Sequence, residues 1–328
     1  MKKVFTFFLV VMIIFASSMS GYAQVIIDEY SSPSALDDNY VLVHYYLASK
    51  YMYTETVDFS ELIGTSSRSI NNSSLYSEPY TPDNKVSPSS REVIGENNLT
   101  QVSNVTVAPY SKIVAIKIVL DSWQFYVSGV ILGPDLVLTA AHCVYQTDWV
   151  TQGKDADGWA NACYVYTEMA GYNNFYSSSS VTRITLPQEG YNGNFYYDWA
   201  YLTTSTNIGS TQGWMGFSAE SPSDYVSENM SVTVAGYPAY PVSNGGGYMY
   251  TNEGNIIGLY NGEMCLKVSA DSVNGMSGCP YFSSDQYVRA IHKSGDPIGS
   301  AFNIGTCITE EMFYILRSAK QAGIDKYS

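Results

Sequence analysis

The chain has 328 residues, with 16 Lys+Arg against 30 Asp+Glu and a formal net charge of -14. No basic surface is available to displace counterions from phosphates, which argues against a nucleic-acid partner. Charged residues are only 14% and there are 30 tyrosines, so surface polarity must come largely from Tyr, Ser, Asn and Thr.

Lys2 and Lys3 followed by an apolar run from Val4 to Ala16 and by Gly21-Tyr22-Ala23 read as an export signal over residues 1–23. The run is about 13 residues, short of the roughly 20 that a spanning helix needs. Gly21-x-Ala23 only approximates the small-x-small cleavage pattern, so a retained anchor is the alternative. The expectation is a secreted, extracellular protein with no membrane association once the signal is removed.

Residues 24–92 differ in texture from the remainder of the chain. Asp37 to Tyr53 carries clustered apolar side chains, including Val41, Leu42, Val43 and Leu47, and predicts a short helix or a strand pair. Ser60 to Glu92 holds ten serines with Pro79, Pro82 and Pro88 and no sustained apolar period. It predicts a poorly ordered, protease-accessible connector.

From Val93 onward the pattern is that of short strands. Segments 113–120, 123–132 and 136–138 are β-rich and separated by Asp121-Ser122 and Gly133-Pro134-Asp135. Further strands are predicted at 162–167, 181–186, 199–203, 230–236, 263–268, 280–282, 288–292 and 305–308. About a dozen short strands suggest an all-β protein of antiparallel barrels or sandwiches. A helix is predicted at the end, capped by Thr309, with Glu310 and Glu311 at its positive pole and Gly323 as its stop.

Cysteines lie at 143, 163, 265, 279 and 307, an odd count. In an exported chain at least one disulfide is expected. There is no C-x-x-C, and no histidine sits three to five residues from another, so no metal site is predicted.

Only three histidines are present, His44, His142 and His292. His142 ends the apolar run Leu138-Thr-Ala-Ala-His-Cys143, and imidazole is the side chain whose ordinary pKa, about 6.5, suits proton transfer near neutrality. Asp198 opens the apolar run Asp198-Trp-Ala-Tyr-Leu202. Ser277 sits in Asn274-Gly-Met-Ser-Gly-Cys-Pro280, where flanking glycines permit a tight turn around an exposed hydroxyl. Singly these also describe a core histidine, a cap aspartate and a structural turn. Together they stand in the order His, Asp, Ser, which belongs to chymotrypsin-like barrels and not to the subtilisin or α/β-hydrolase solutions.

The segments Thr139-Ala-Ala-His-Cys143 and Gly275-x-Ser277-Gly278-x-Pro280 resemble the signatures of chymotrypsin-fold serine proteases. Residues 93 to about 322 resemble the bacterial glutamyl endopeptidases, in Val93-Ile-Gly95, Thr100-Gln-Val-Ser-Asn104, Ala235-Gly-Tyr-Pro238, Ala290-Ile-His292 and Gly305-Thr-Cys-Ile-Thr309. The resemblance implies a double antiparallel β-barrel with a C-terminal helix, and a zymogen with propeptide 24–92 and protease domain 93–328. It implies His142 as general base, Asp198 as its orienting partner, Ser277 as nucleophile, and the amides of Gly275 and Ser277 as the oxyanion hole. It also implies His292 and Ser272 as ligands for a substrate Glu side chain.

A bound carboxylate needs donors and preferably positive charge. Strand alternation turns Lys293 away from His292, so the charge must come from His292 and from the α-amino group that cleavage before Val93 would create. Activation fits either Arg91-Glu92 or Glu92-Val93. A Cys143–Cys163 bridge is anticipated, while pairing among Cys265, Cys279 and Cys307 is open and could reshape the pocket. The expected activity is peptide hydrolysis after Glu, less readily after Asp, by a monomer acting on protein or peptide substrates without metal or organic cofactor. The alternatives are a protease of the same fold with a small or apolar preference, and an inactive barrel used for binding.

Overall fold

The computed structural model describes residues 36, 39–64, 75–81, 99–239, 246–260, 262–295 and 302–328. The expected signal peptide, both activation bonds and Val93 lie outside the described residues.

The first described elements are a hairpin of β1 (Val41–Tyr46) and β2 (Tyr51–Thr56), so the clustered apolar residues near 41–47 form the first strand of a pair. A one-turn helix, Phe59–Gly64, and the short strand β3 (Tyr76–Ser77) follow. The prediction of a poorly ordered connector fails for 60–64 and 75–81. Tyr80 bridges to Trp214 through two 2.8 Å backbone hydrogen bonds, and Lys320 Nζ donates to Ser77 Oγ at 2.9 Å and to the Glu78 carbonyl at 2.8 Å. Serine content had suggested disorder, but pairing with the rest of the chain overrides it.

After β4 (Thr100–Gln101) comes a closed six-stranded antiparallel barrel: β5 (Ile113–Val119), β6 (Gln124–Ile131), β7 (Leu136–Thr139), β8 (Ala162–Thr167), β9 (Ser177–Pro187) and β10 (Ala200–Thr204). Closure removes the edges that an open sheet would expose. It also explains why β5 reads as a continuous apolar run, since Ile113, Val114, Ala115, Ile116 and Ile118 are all fully buried. The hairpin joins outside this barrel, β1 pairing antiparallel with the end of β9 from Leu42↔Pro187 to Tyr46↔Arg183. Leu42, Val43 and Tyr45 merge with the barrel core, where the Tyr45 ring stacks on Trp159 at 4.5 Å.

The short strand β11 (Gly216–Ser218) leads to the second closed barrel. That barrel comprises β12 (Ser231–Gly236), β13 (Tyr250–Leu259), β14 (Cys265–Val268), β15 (Pro280–Phe282), β16 (Tyr287–Gly295) and β17 (Asn303–Cys307). The predicted double barrel is thus the architecture. Strand β13 has no counterpart among the predicted strands, because Asn252, Gly254, Asn255 and Gly258 break any β-propensity pattern. Gly254 is required there, as a Cβ would collide with the backbone of Ala270.

The terminal helix runs Glu310–Tyr327, its Thr309 cap accepting from the Met312 amide at 3.3 Å. It does not stop at Gly323. That residue is buried within the helix, and a Cβ there would sit 2.6 Å from Asp135 Oδ1, so the glycine serves close packing and not termination. The anticipated Cys143–Cys163 bridge is absent: none of the five cysteines is in a disulfide, and all are buried. They pack as small apolar side chains, and burial pushes the thiols of Cys163 and Cys279 up, with that of Cys265 raised to about 12.

Ile116 has no exposed surface and faces the tight β5–β6 crossing, where a Cβ on Gly129 would already meet its Cδ1 at 2.7 Å. Ile116→Ala is expected to cost about 2–5 kcal/mol through lost transfer energy and a cavity. Urea unfolding of the two proteins measures it.

Candidate active site

Antiparallel pairing of β7 with β10 sets Thr139 opposite Ala200. Two residues beyond Thr139 and two before Ala200, the chains are still adjacent, and this brings the turn Ala141–Cys143 against Asp198. The carboxylate grips His142 twice: Oδ1 accepts from the His142 backbone N–H at 2.9 Å and Oδ2 lies 2.7 Å from Nδ1. Asp198 comes directly after the turn Phe195–Tyr197, which is capped by Asn194 accepting from the Tyr196 amide at 3.1 Å. The N-terminal hairpin supports this turn from outside. Tyr40 packs against the Tyr197 ring at 6.2 Å and its hydroxyl bonds the Trp199 side chain.

The carboxylate is 11% exposed and the imidazole 33%. Burial alone would raise the Asp198 pKa, but the imidazole's charge and hydrogen bond override it and hold the carboxyl below its usual range. Burial correspondingly pushes His142 down, while Asp198 and the Cys143 thiol outweigh it and leave the imidazole above its ordinary value. The Cys143 Sγ lies 3.8 Å from Nε2.

Ser277 lies on a turn that needs glycine at both flanks. Gly275 has φ +95° and Gly278 φ +80°, in the left-handed region that L side chains avoid. A Cβ at Gly278 would strike Thr139 Oγ1 and the Ser128 carbonyl, so this turn is pressed directly against the β7 end that leads to His142. Ser128 fastens it further: its amide donates to the Ser277 carbonyl at 3.0 Å and its hydroxyl to the Gly275 carbonyl at 3.0 Å. No hydrogen bond links the Ser277 hydroxyl to His142. The amides of Gly275 and Ser277 find no acceptor among the described residues.

His292, on β16, is 4% exposed and held at both nitrogens, with Ser272 Oγ 3.1 Å from Nε2 and the Tyr281 hydroxyl 2.6 Å from Nδ1. The structure therefore joins His292 to Ser272 by a hydrogen bond. Tyr281 was not foreseen, because nothing marks it among 30 tyrosines. Burial, reinforced by the nearby His142 charge, lowers His292 to about 3, so its ring is neutral with one nitrogen donating and the other accepting. Gly278 N donates to the His292 carbonyl at 2.8 Å and His292 N to the Cys279 carbonyl at 2.7 Å. These two bonds tie the histidine strand to the serine turn.

Lys293 turns to the opposite face, as alternation requires. Its Nζ lies 3.7 Å from Asp198 Oδ2. The remaining histidine, His44, is on the N-terminal hairpin, bonded to Thr185 Oγ1 at 2.9 Å and stacked on Tyr53. A cleft of about 500 Å³ opens beside the His142–Asp198 pair, bordered by Gln146, Tyr191, Asn192, Phe195, Lys293 and Ser294.

Three comparisons bear on this arrangement. Residues 101–314 match the trypsin family. The glutamyl endopeptidase of Bacillus licheniformis is 30% identical over 274 residues, 76% of this chain and 80% of that protein. A protein of Bacillus subtilis named extracellular metalloprotease is 30% identical over 229 residues, 67% of each chain. Among the described residues no three His, Cys, Asp or Glu side chains form a metal-ligand set. The solved structure of a Glu endopeptidase in complex with MPD superposes with a TM-score of 0.58 at 25% identity, covering 70% of this chain and all of that one. The double barrel, the matched span and these relatives together place the chain in the trypsin family, as a serine endopeptidase.

Proposed function

We propose that the chain is a secreted glutamyl endopeptidase, made as a zymogen, that cleaves peptide bonds after Glu through a Ser277–His142–Asp198 triad. The observation that carries the reading is the double grip of Asp198 on the His142 amide and imidazole, beside a glycine-flanked serine turn. The Ser277 hydroxyl gives its proton to His142 Nε2 as Oγ attacks the scissile carbonyl carbon. The resulting oxyanion is received by the amides of Gly275 and Ser277. His142 then protonates the leaving amine as the C–N bond breaks, and water repeats the sequence to release the acid. Asp198 holds the imidazole tautomer and stabilises the imidazolium formed in each half.

The Glu preference is supported by His292, Ser272 and Tyr281, three polar side chains joined in one hydrogen-bonded set. Because the empty ring is neutral, it meets a substrate carboxylate first as a hydrogen-bond donor; the charge is completed by proton uptake on binding or by the α-amino group freed at residue 93. From residue 93 onward the chain carries 10 basic against 20 acidic residues, so specificity for an acidic side chain has to be local and draws no help from the overall field.

The missing Ser277–His142 hydrogen bond is the one observation that favours a second reading, a barrel that binds without cleaving. In serine-protease chemistry such bonds commonly tighten only when substrate is present. The two readings separate on the products of a denatured protein mixture: peptide ends after Glu support the first, and an uncut mixture supports the second.

Ser277→Ala is expected to lower turnover by about 10^4 to 10^6 while leaving the circular dichroism unchanged; near-normal turnover contradicts the triad. Since the imidazole is held above its ordinary value, kcat/KM should fall as pH drops, through a midpoint above about 6.5. A pH–rate profile with a Glu peptide locates that limb. His292→Leu should reduce kcat/KM for a Glu peptide at least tenfold relative to a Leu or Ala peptide, and equal losses on all peptides would contradict its role in specificity.

A further inference from the structure

Lys293 is a buried ammonium without a hydrogen-bond partner. Its side chain is 3% exposed, and Nζ has no acceptor among the described residues. The Phe195 ring caps it with its centroid 3.2 Å from Nζ, and the Cys265 thiol faces it from β14. Among the described residues its charged partner is Asp198, whose Oδ2 is 3.7 Å away, close enough for an ion pair and too far for a hydrogen bond. Taking a cation out of water without letting it donate hydrogen bonds is strongly unfavourable. Although Lys293 borders the cleft, its ammonium is held out of solvent against the carboxylate that orients His142.

We propose that Lys293 is a positioning residue that keeps Asp198 ionised and draws part of its field away from His142, extending activity to lower pH. This rests on the triad reading above. The carboxylate is shared between two cations, the imidazolium on one side and the ammonium on the other. With the ammonium present the imidazolium gains less from Asp198, so His142 sheds its proton and becomes a base at lower pH than it would beside a lone aspartate. Two other titratable groups bear on the pair. Cys265 stays a neutral thiol because burial raises it to about 12. His292 is neutral and faces away from Lys293 on the same strand. Burial pushes Lys293 down while Asp198 and Cys265 pull it back, which is the sign that the ion pair requires. Phe195 keeps water from Nζ, so this coupling acts in a medium less screening than solvent.

The test is the acid limb of kcat/KM against a Glu peptide in three processed proteins. Wild-type turnover comes first: no turnover at any pH defeats the triad reading itself, independently of Lys293. Given turnover, K293M should move the limb upward by about one pH unit, and K293R, which keeps the charge, should leave it within a few tenths of wild type. An unmoved limb in folded K293M overturns the proposal, as does a K293R limb that matches K293M. Should K293M not fold by circular dichroism, Phe195→Leu serves, since Phe195 is 41% exposed and its truncation lets water reach the ammonium. There the limb should move upward by a smaller amount, and an unmoved limb again overturns the proposal.

Discussion

The site depends on one carboxylate that is used twice. Asp198 accepts from the His142 backbone amide and from its ring, so the aspartate fixes the turn that carries the histidine as well as the histidine's tautomer. That geometry is possible because β7 and β10 pair with Thr139 opposite Ala200, which places the two flanking turns at the same barrel rim. Barrel register, a property of the whole first half of the molecule, is thereby converted into a 2.7 Å contact.

The second barrel supplies the other half from β16, from β15 and from the segment that precedes β15. His292 and Lys293 are neighbours in sequence but face opposite sides of β16, one toward Ser272 and Tyr281 and the other toward Asp198. Backbone bonds from β16 to the Ser277 turn make this strand a common support for nucleophile, pocket and carboxylate. The N-terminal hairpin belongs to the same construction, since Tyr40 rests on Tyr197 just before Asp198. A segment expected to be a propeptide is therefore packed against the loop that carries the orienting aspartate.

Much of this was legible from sequence, for identifiable reasons. Strands such as Ala162–Thr167 and Pro280–Phe282 declare themselves by β-branched or aromatic runs between turn residues, and the order His142, Asp198, Ser277 carries the fold class. Strand β13 was not legible, because its Gly254 answers to the backbone of Ala270 and not to any local preference. Gly323 misled for the same reason: a tertiary close approach to Asp135 looks, in sequence, like a helix stop. Alternation showed that Lys293 faces away from His292, but nothing in the sequence signalled what it meets there, since a cation capped by the Phe195 ring from a distant part of the chain is a product of the closed fold.

The central claim is that Ser277 is an activated nucleophile. The most direct measurement is the reaction of the processed protein with a fluorophosphonate, with the modified residue located by peptide mass spectrometry. The account predicts one covalent adduct on Ser277, slowed as pH falls through the His142 limb and abolished in Asp198→Ala or His142→Ala. A folded, processed protein that takes up no label, or takes it on another serine, would contradict it.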